Sequence, residues 1–451
     1  MKKILILGAG KSSPVLIRYY LERAQQEHWH VVVADQSEEN AKKRIQGATQ
    51  ASALALDIFD EAAREEAISS ADLVISLLPP SMHQLAAQTC IKHKRHLVTA
   101  SYVSQEMKKL DAEAQSAGVI LLNEVGVDPG IDHMSAMKML DEIRDQGGKI
   151  LRFESFTGGL VAPESDDNPW GYKFTWNPRN VVLAGQGAAA TFIQEGYVKY
   201  IPYHRLFRRT EVIKVDGYGR FEGYANRDSV KYVELYGLQG VPTVYRGTLR
   251  RPGFCKAWDV FVQIGATDDT TIVDCSYGMT YREFINSFLY YTPHDSVELK
   301  LMHYMHIDQD NDIMEKLEWL GIFDKTPIPL KKATPAQILQ HILEQKWSLK
   351  EDDKDMVVMW HLCTYEKDGK IFEKQVPMVV VGDDQTCTAM AKTVGLPLAL
   401  AAHSVLKGEY TRAGVHIPVT PDIYEPVLKE LALHGIQFVE KERELPPKGH
   451  E

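Results

Sequence analysis

The chain has 451 residues, 44% of them hydrophobic and 25% charged, a composition expected of a water-soluble globular protein of two or three domains. Its formal net charge of −10 argues against nucleic acid as the main partner, since phosphate binding needs a basic face, but leaves room for a local basic pocket and a small acidic substrate. No apolar run approaches the ~20 residues of a membrane span, and the N-terminus lacks the length and cleavage pattern of a signal peptide.

Lys3 to Leu7 is an apolar strand that leads into Gly8-Ala9-Gly10-Lys11-Ser12-Ser13 and then a helix with Pro14 in its first turn, where a missing N–H does no harm. This order opens a dinucleotide-binding unit. Gly8 makes the tight turn, Gly10 lets a pyrophosphate approach the backbone, and the helix N-terminus supplies N–H groups and a positive dipole end. Ser13 stands where a third glycine is usual. The next strand, His30 to Ala34, ends in Asp35, placed to bond the ribose hydroxyls of NAD and to repel the phosphate of NADP, although Gln36 to Lys43 could still hold a cationic contact. Asp57-Ile58 follows a third short strand and could lie against an adenine. A buried strand, Asp72 to Leu78, runs into Pro79-Pro80-Ser81-Met82-His83, where His83 reads as a capping or loop histidine more readily than as an acid or base. His96 to Ala100 is another strand, followed by Ser101-Tyr102. Alternating strands and helices imply a parallel sheet covered on both faces, with the strand ends at Gly8, Leu78, Ala100 and Asn123 converging.

Val119 to Leu122 is a buried strand, and Asn123 to His133 leaves it with two glycines and a proline, and with two carboxylates and a histidine inside the six residues Asp128 to His133. Pro129 keeps Asp128 out of helical geometry, and Gly126 and Gly130 permit backbone angles or approaches that a side chain would block. A helical pattern starts after His133. The stretch is either a plain strand-to-helix turn with a capping Asp or a ligand corner of an open α/β sheet.

From Lys149 the pattern changes to strands with glycines and aromatics. Tyr172 to Arg179 mixes aromatics with cations, and Arg246, Arg250 and Arg251 crowd into six residues. Arginines suit bidentate capture of carboxylates, and surface salt bridges are the plain alternative. Tyr281 to Leu349 reads helical with short breaks. His303 and His306 have no acidic or cysteine partner at ligand spacing, so no metal site is expected. Met356–Thr364 and Gln375–Val381 form a hairpin around Asp368-Gly369. A helix over Asp384–Leu406, a helix over Pro421–Leu433 and a strand over Ile436–Val439 complete the chain, whose charged tail reads as frayed. The five cysteines are odd in number and form no CxxC pair, which fits reduced thiols and a cytoplasmic location.

Taken together, these motifs resemble the saccharopine dehydrogenase family of the glutamate-forming type, also called saccharopine reductase. They are especially similar to the dehydrogenase half of the bifunctional lysine-degrading enzyme of animals and plants. The resemblance covers essentially the whole chain. It is carried by the Gly8 turn, Leu77-Leu78-Pro79 with His83, Thr99-Ala100-Ser101-Tyr102 and Gly126 to His133. Gly158-Gly159-Leu160, Ala162-Pro163-Glu164, Tyr172-Lys173-Phe174 with Trp176, Asn226 to Ser229, Arg246 to Arg250 and Ala389 to Gly395 complete the set.

The resemblance implies an α/β fold: a Rossmann-type dinucleotide-binding domain over 1–128, to which 391–445 returns. A large inserted α+β substrate and dimerisation domain spans 129–390, with a helical subdomain at about 281–349. It implies that Gly8, Gly10, Lys11, Ser12, Ser13, Asp35, Asp57 and Leu78 lie along the cofactor, and that Val125, Gly126, Val127 and Trp176 approach its nicotinamide end. Ser101, Tyr102, Asp128, Arg227, Thr248, Leu249 and Arg250 would hold saccharopine, with Asp128 first and Tyr102 second as catalytic groups. Thr157 stands where relatives carry a cysteine, so a thiol acid–base role does not transfer. The implied activity oxidises saccharopine with a nicotinamide cofactor, NAD before NADP, and water to L-glutamate and 2-aminoadipate 6-semialdehyde, in a homodimer with no nucleic-acid or membrane partner. A carboxynorspermidine dehydrogenase-like enzyme and a non-catalytic dinucleotide-binding protein are the alternatives.

Overall fold

The computed structural model describes residues 1–309 and 311–446. The chain divides into two compact units. The first comprises Met1–Ile150, Tyr365–Phe372 and Met378–Glu451, and the second Leu151–Thr364 with Glu373–Pro377.

In the first unit the short apolar runs become strands and the stretches between them helices. In order these are β1 (Lys2–Leu7), α1 (Pro14–Ala24), β2 (Trp29–Asp35), α2 (Glu38–Ile45), β3 (Ala51–Ala55), α3 (Glu61–Ser69), β4 (Leu73–Ser76) and α4 (His83–Lys92). β5 (His96–Thr99), α5 (Gln105–Lys109), α6 (Asp111–Ala117), β6 (Ile120–Leu122) and α7 (Ile131–Asp145) follow. The starts of α2, α3 and α5 are marked by side-chain caps. Ser37 accepts from the Asn40 N–H and Asp60 from the Ala63 N–H, each satisfying a donor the helix itself leaves open.

The second unit carries β7 (Lys149–Val161), α8 (Pro178–Val182), β8 (Ala190–Gln194), β9 (Tyr197–Ile201), β10 (Thr210–Val215), β11 (Gly219–Ala225), α9 (Lys231–Leu235), β12 (Thr243–Arg250) and α10 (Phe254–Ile264). Then come β13 (Val273–Asp274), α11 (Tyr281–Asn286), α12 (Val297–Met305), α13 (Asp312–Trp319), β14 (Lys332–Ala333), α14 (Pro335–Trp347), β15 (Asp355–Lys367) and β16 (Lys370–Val381), of which Tyr365–Phe372 and the end of β16 from Met378 count with the first unit. The chain then returns to the first unit through α15 (Ala389–Lys407), β17 (Gly414–His416), α16 (Pro421–Leu433) and β18 (Lys441–Glu444).

The first unit's seven-stranded sheet has the order β17-β6-β5-β4-β1-β2-β3, and every neighbouring pair in it is parallel. The β3-β2-β1-β4-β5-β6 part is the Rossmann order, whose ligand crevice opens at the carboxyl ends of β1 and β4, where the strand order reverses. Apolar residues from β1, β2, β4 and β5 and from α3, α4 and α6 form one buried cluster beneath it. α15 packs against α1 so closely that a Cβ on Gly395 would lie 3.0 Å from the Leu16 nitrogen. This corrects one sequence expectation. By length and composition α15 does match a membrane span, but 78% of its most apolar 18-residue stretch is buried within the protein.

The second unit is built on the mixed sheet β10-β11-β12-β7-β15-β16, with β8 joining β12 to β9. β11 and β12 are antiparallel and β12 and β7 parallel. An aromatic core of Trp170, Tyr172, Phe254, Trp258 and Trp347 packs edge-to-face and stacked, with Tyr172 and Trp347 centroids 5.0 Å apart. The segment expected to be helical breaks into α11 to α14 with β14 between them. The Asp368-Gly369 turn closes its hairpin with both residues at positive φ, as a two-residue hairpin loop requires.

Two other expectations shift. The long helix starts at Ala389 rather than Asp384, because the Asp384 carboxylate accepts the Thr386 and Cys387 N–H groups in a turn and Thr388 caps the helix. Ile436–Val439 is no strand. Ile436 is buried in the core, Phe438 makes a single bridge to Met378, and the ladder forms at β18, where Leu445 N–H donates to the Ile371 carbonyl at 2.8 Å.

Candidate active site

At the end of β1 the chain turns through Gly8 at φ 104°, where a Cβ would sit 3.1 Å from the Leu77 carbonyl oxygen. Gly8 is therefore required both by its backbone angle and by β4 alongside. Gly10 has open space around it. Ser13 fills the place of the missing third glycine by closing the turn itself, its hydroxyl donating to the Gly10 carbonyl at 2.8 Å. Lys11 and Ser12 follow Gly10 directly at the approach to α1, whose first residue is Pro14.

Asp35, at the end of β2, accepts the Ala9 N–H on Oδ2 and the Ser37 N–H on Oδ1, each at 2.9 Å. Arg44, from the last turn of α2, donates to the Ala9 carbonyl at 3.1 Å and the Gly10 carbonyl at 3.2 Å. The cationic contact expected from Gln36 to Lys43 comes instead from Arg44, one residue beyond, which the packing of α2 brings to the turn. Asp57 is exposed and accepts the Phe59 N–H, and Leu78 is half-buried on the core cluster beside the turn.

The ends of β5 and β6 are stitched together beyond their regular pairing. Val125 N–H donates to the Thr99 carbonyl and Glu124 N–H to the Ser101 carbonyl, both at 3.1 Å. The Glu124 carboxylate accepts the Val103 N–H at 2.9 Å and pairs with the buried His133 at 2.7 Å. Glu124 thereby grips both sides of Tyr102. That side chain is exposed, and its hydroxyl donates to Asp128 Oδ1 at 2.9 Å. The loop behind Asp128 is tight. A Cβ on Gly130 would lie 2.0 Å from the Gly126 oxygen, and Gly126 N–H donates to the Pro129 carbonyl at 2.8 Å. Val125 and Val127 are buried, and Asp132 is buried with its carboxylate on the Gly130 N–H. Of the two carboxylates between Asp128 and His133, Asp128 is half-buried and Asp132 serves the turn.

His83 departs from the expectation of a loop histidine. It is the first residue of α4 and only 3% exposed, with Nδ1 2.8 Å from Ser76 Oγ and Nε2 2.7 Å from Ser101 Oγ. Burial lowers its pKa to about 4.

In the second unit, alternation along β12 puts Arg246, Thr248 and Arg250 on one face, while Leu249 is fully buried on the other, against Gly158 of β7. Thr157 of β7 lies beside Thr248, so its buried hydroxyl shares the Arg250 face. Arg250 is 5% exposed. Its guanidinium lies 5.1 Å from the Tyr172 ring centre and 5.3 Å from that of Phe254, and it donates to the Leu249 carbonyl at 2.8 Å. Among the described residues it makes no ion pair, and its Nε has no hydrogen-bond partner. Glu222 faces it across the β11–β12 ladder. That carboxylate is turned instead to the start of α10, accepting Gly253 N–H at 2.7 Å and Cys255 N–H at 3.1 Å. The nearby Lys173, equally buried, is by contrast fully paired with Asp353 and Asp167. Arg227 is exposed on the loop after β11, and Trp176 is half-buried next to the aromatic core.

Two family patterns match the chain. "Saccharopine dehydrogenase NADP binding domain" matches residues 4–122 and "Saccharopine dehydrogenase C-terminal domain" residues 126–436. A saccharopine dehydrogenase [NADP(+), L-glutamate-forming] of Schizosaccharomyces pombe is 34% identical over 98% of this chain and 99% of its own. The chain belongs to the saccharopine dehydrogenase family. The mouse mitochondrial alpha-aminoadipic semialdehyde synthase is 33% identical over 97% of this chain, which spans 47% of that longer protein. Among solved structures, the apo saccharopine dehydrogenase (L-Glu forming) of Saccharomyces cerevisiae is similar with a TM-score of 0.89 and 30% identity, covering 98% of this chain and 100% of the other.

Set against this saccharopine dehydrogenase frame, the first unit brings Gly8, Gly10, Lys11, Ser12, Ser13 and Asp35 to one turn. It also gathers Ser101, Tyr102 and Val125–Asp128 at the neighbouring strand ends. The second unit puts Thr248 and Arg250 on one face and leaves Arg227 on a separate exposed loop. Arg44, Glu124, His83 and Glu222 are the contributors that sequence reasoning missed or set aside. Each acts through a partner distant in sequence.

Proposed function

We propose that this chain is an L-glutamate-forming saccharopine dehydrogenase that uses NADP(H). The observation that carries the reading is Arg250, a buried guanidinium with no ion-pair partner among the described residues. A buried cation calls for an anion, and saccharopine brings three carboxylates. The named activities of the relatives point to the same substrate. A substrate with fewer carboxylates, as in the carboxynorspermidine reading, makes less use of that cation.

The turn fits a dinucleotide. Gly10 leaves open ground, and the start of α1 offers backbone N–H groups and a positive dipole end to a pyrophosphate. Gly8 to Ser13 would hold the pyrophosphate, and Asp35 and Arg44 would flank the adenosine ribose. Asp35 favours NAD by its charge. However, both its oxygens already serve the Ala9 and Ser37 N–H groups, and Arg44 lies against the same turn. A ribose phosphate would therefore meet a cation there as well as a carboxylate.

When bound, the nicotinamide exchanges hydride with the carbon beside the substrate's secondary amine. The rest falls to the protein's own groups. Arg250 would pair with a substrate carboxylate bidentately. Asp128 Oδ1, already hydrogen-bonded to the Tyr102 hydroxyl, would take the proton that leaves the amine and return it to the departing glutamate nitrogen after water has added. Tyr102 would steady the charge on Asp128 between those steps.

The test is a nicotinamide absorbance assay with saccharopine, run with NADP and NAD in parallel, on the natural chain and on Asp128→Asn. The expected result is turnover with a lower KM for NADP and a kcat at least ~100-fold lower in D128N, the size of a lost general base. No reduction of either cofactor would remove the activity, a lower KM for NAD would reverse the cofactor choice, and an undiminished kcat in D128N would remove the role of Asp128.

A further inference from the structure

We propose that His83 is a positioning residue that donates its Nε2 proton to Ser101 and so turns the Ser101 hydroxyl outward as a hydrogen-bond donor to a substrate carboxylate. The argument starts at Ser76, the last residue of β4. It is fully buried, and among the described residues the one hydrogen bond of its hydroxyl is with His83 Nδ1 at 2.8 Å. A buried O–H that lacks an acceptor is costlier than an acceptor with a spare lone pair. The Ser76 proton therefore points at Nδ1, which must be bare to receive it. A neutral imidazole carries one proton, so that proton is on Nε2, which faces Ser101 Oγ at 2.7 Å. Burial keeps the ring neutral throughout the physiological range, with its pKa lowered to about 4.

The Thr99 hydroxyl also lies near the ring, 3.5 Å from Nδ1 and 3.3 Å from Nε2. It accepts the Ser101 N–H at 3.4 Å. The buried Thr99 hydroxyl then has Nδ1 as its ring acceptor, at 3.5 Å, and both of its reaches are far longer than the 2.8 Å Ser76 contact, which therefore sets the tautomer. Ser101 Oγ thus accepts from His83, and its own proton has no acceptor among the described residues. Ser101 is half-buried, directly before Tyr102, whose hydroxyl is on Asp128. A hydroxyl donor at this place suits a carboxylate oxygen. The inference rests on the proposed substrate and on Ser101 touching it.

The test has a spectroscopic and a kinetic arm. Two-bond 1H–15N correlation on protein labelled at the histidine rings, with His83 assigned by its loss in His83→Gln, should show the Nε2–H tautomer at neutral pH. An Nδ1–H tautomer would overturn the proposal whatever the variants do. In steady-state kinetics, Ser101→Ala and His83→Phe should each raise KM for saccharopine about ten-fold, the scale of one hydrogen bond to a charged group, with KM for the dinucleotide unchanged. His83→Gln, whose amide can still donate, should recover part of the loss. If S101A leaves KM unchanged, the reading of Ser101 as a substrate ligand is at fault and the proposal falls with it. If S101A raises KM and H83F does not, His83 alone is acquitted of the role.

Discussion

Among the described residues no carboxylate pairs with the buried Arg250, and that has a cost in the unliganded chain. Aromatic faces at 5.1 and 5.3 Å compensate a guanidinium only partly. Replacing it with methionine, of similar reach and no charge, is expected to raise the melting temperature of the ligand-free protein, by a stabilisation of about 1 kcal/mol or more. It should also raise KM for saccharopine about 100-fold while KM for the dinucleotide stays put. A lower melting temperature together with an unchanged KM would mean that Arg250 is a structural cation. The sequence displays the arginine but not its isolation. The carboxylate that faces it, Glu222, sits on the preceding strand, and whether it pairs with Arg250 or caps α10 depends on tertiary geometry that no local pattern records. The same holds for His83. Its loop of two prolines suggests surface, and only the β4–β5 register, Ser76 beside Thr99, buries it between two hydroxyls.

At the scale of elements the sequence is more informative. β1, its glycine turn and α1 follow from an apolar run, two glycines and a proline, because each residue type acts locally. The short central strands follow from apolar runs buried on both faces. Legibility fails where pairing partners decide, as at β18, which takes the ladder expected of the more apolar Ile436–Val439. Helix α10 shows the same dependence on a distant residue. Its N-cap is Gly253, which has no side chain to offer, so Glu222 supplies both acceptors from β11. Glu222→Ala is expected to destabilise the second unit by ~1–2 kcal/mol, the range for a lost cap at a helix start. Phe254, which lines Arg250, belongs to the first turn of α10, so KM for saccharopine should rise a few-fold as well. Six of the seven tryptophans lie in the second unit, so urea unfolding followed by tryptophan emission reads the change. A midpoint identical to that of the natural chain would show that water caps the helix equally well.

At the scale of the whole molecule the two units differ in what acid does to them. In the first, burial lowers the pKa of His83 to about 4 and also lowers those of His96 and His403. His96 Nδ1 accepts the Ile120 N–H at 3.1 Å, a bond that needs the nitrogen bare. In the unfolded chain these rings titrate near 6.5, so below that pH the unfolded state binds more protons. Their contribution is fully present above about 6.5 and is lost as the pH falls towards the folded values. For His83 alone that amounts to ~3 kcal/mol. In the second unit two ion-paired carboxylates are held well below their ordinary range. Lys173 and Lys350 hold Asp167 at about 2, and Arg282 holds Glu298 at about 2. What these contribute persists until the pH drops through the ordinary carboxylate range. Glu154 and Asp166, raised chiefly by burial, act in the opposite sense and favour the folded second unit as that range is crossed. The first unit should therefore open between about pH 6.5 and 4 and the second only below about 4.5. Acid exposure at graded pH, followed by pulsed hydrogen exchange at one fixed pH, resolves the two by peptide. β1, β4 and α4 should lose protection first, and β11 and β12 should keep theirs until the tryptophan emission shifts. Loss of protection in both units at a single pH would show that they unfold as one, and loss in β11 and β12 first would overturn the assignment of the acid-labile groups to the histidines of the first unit.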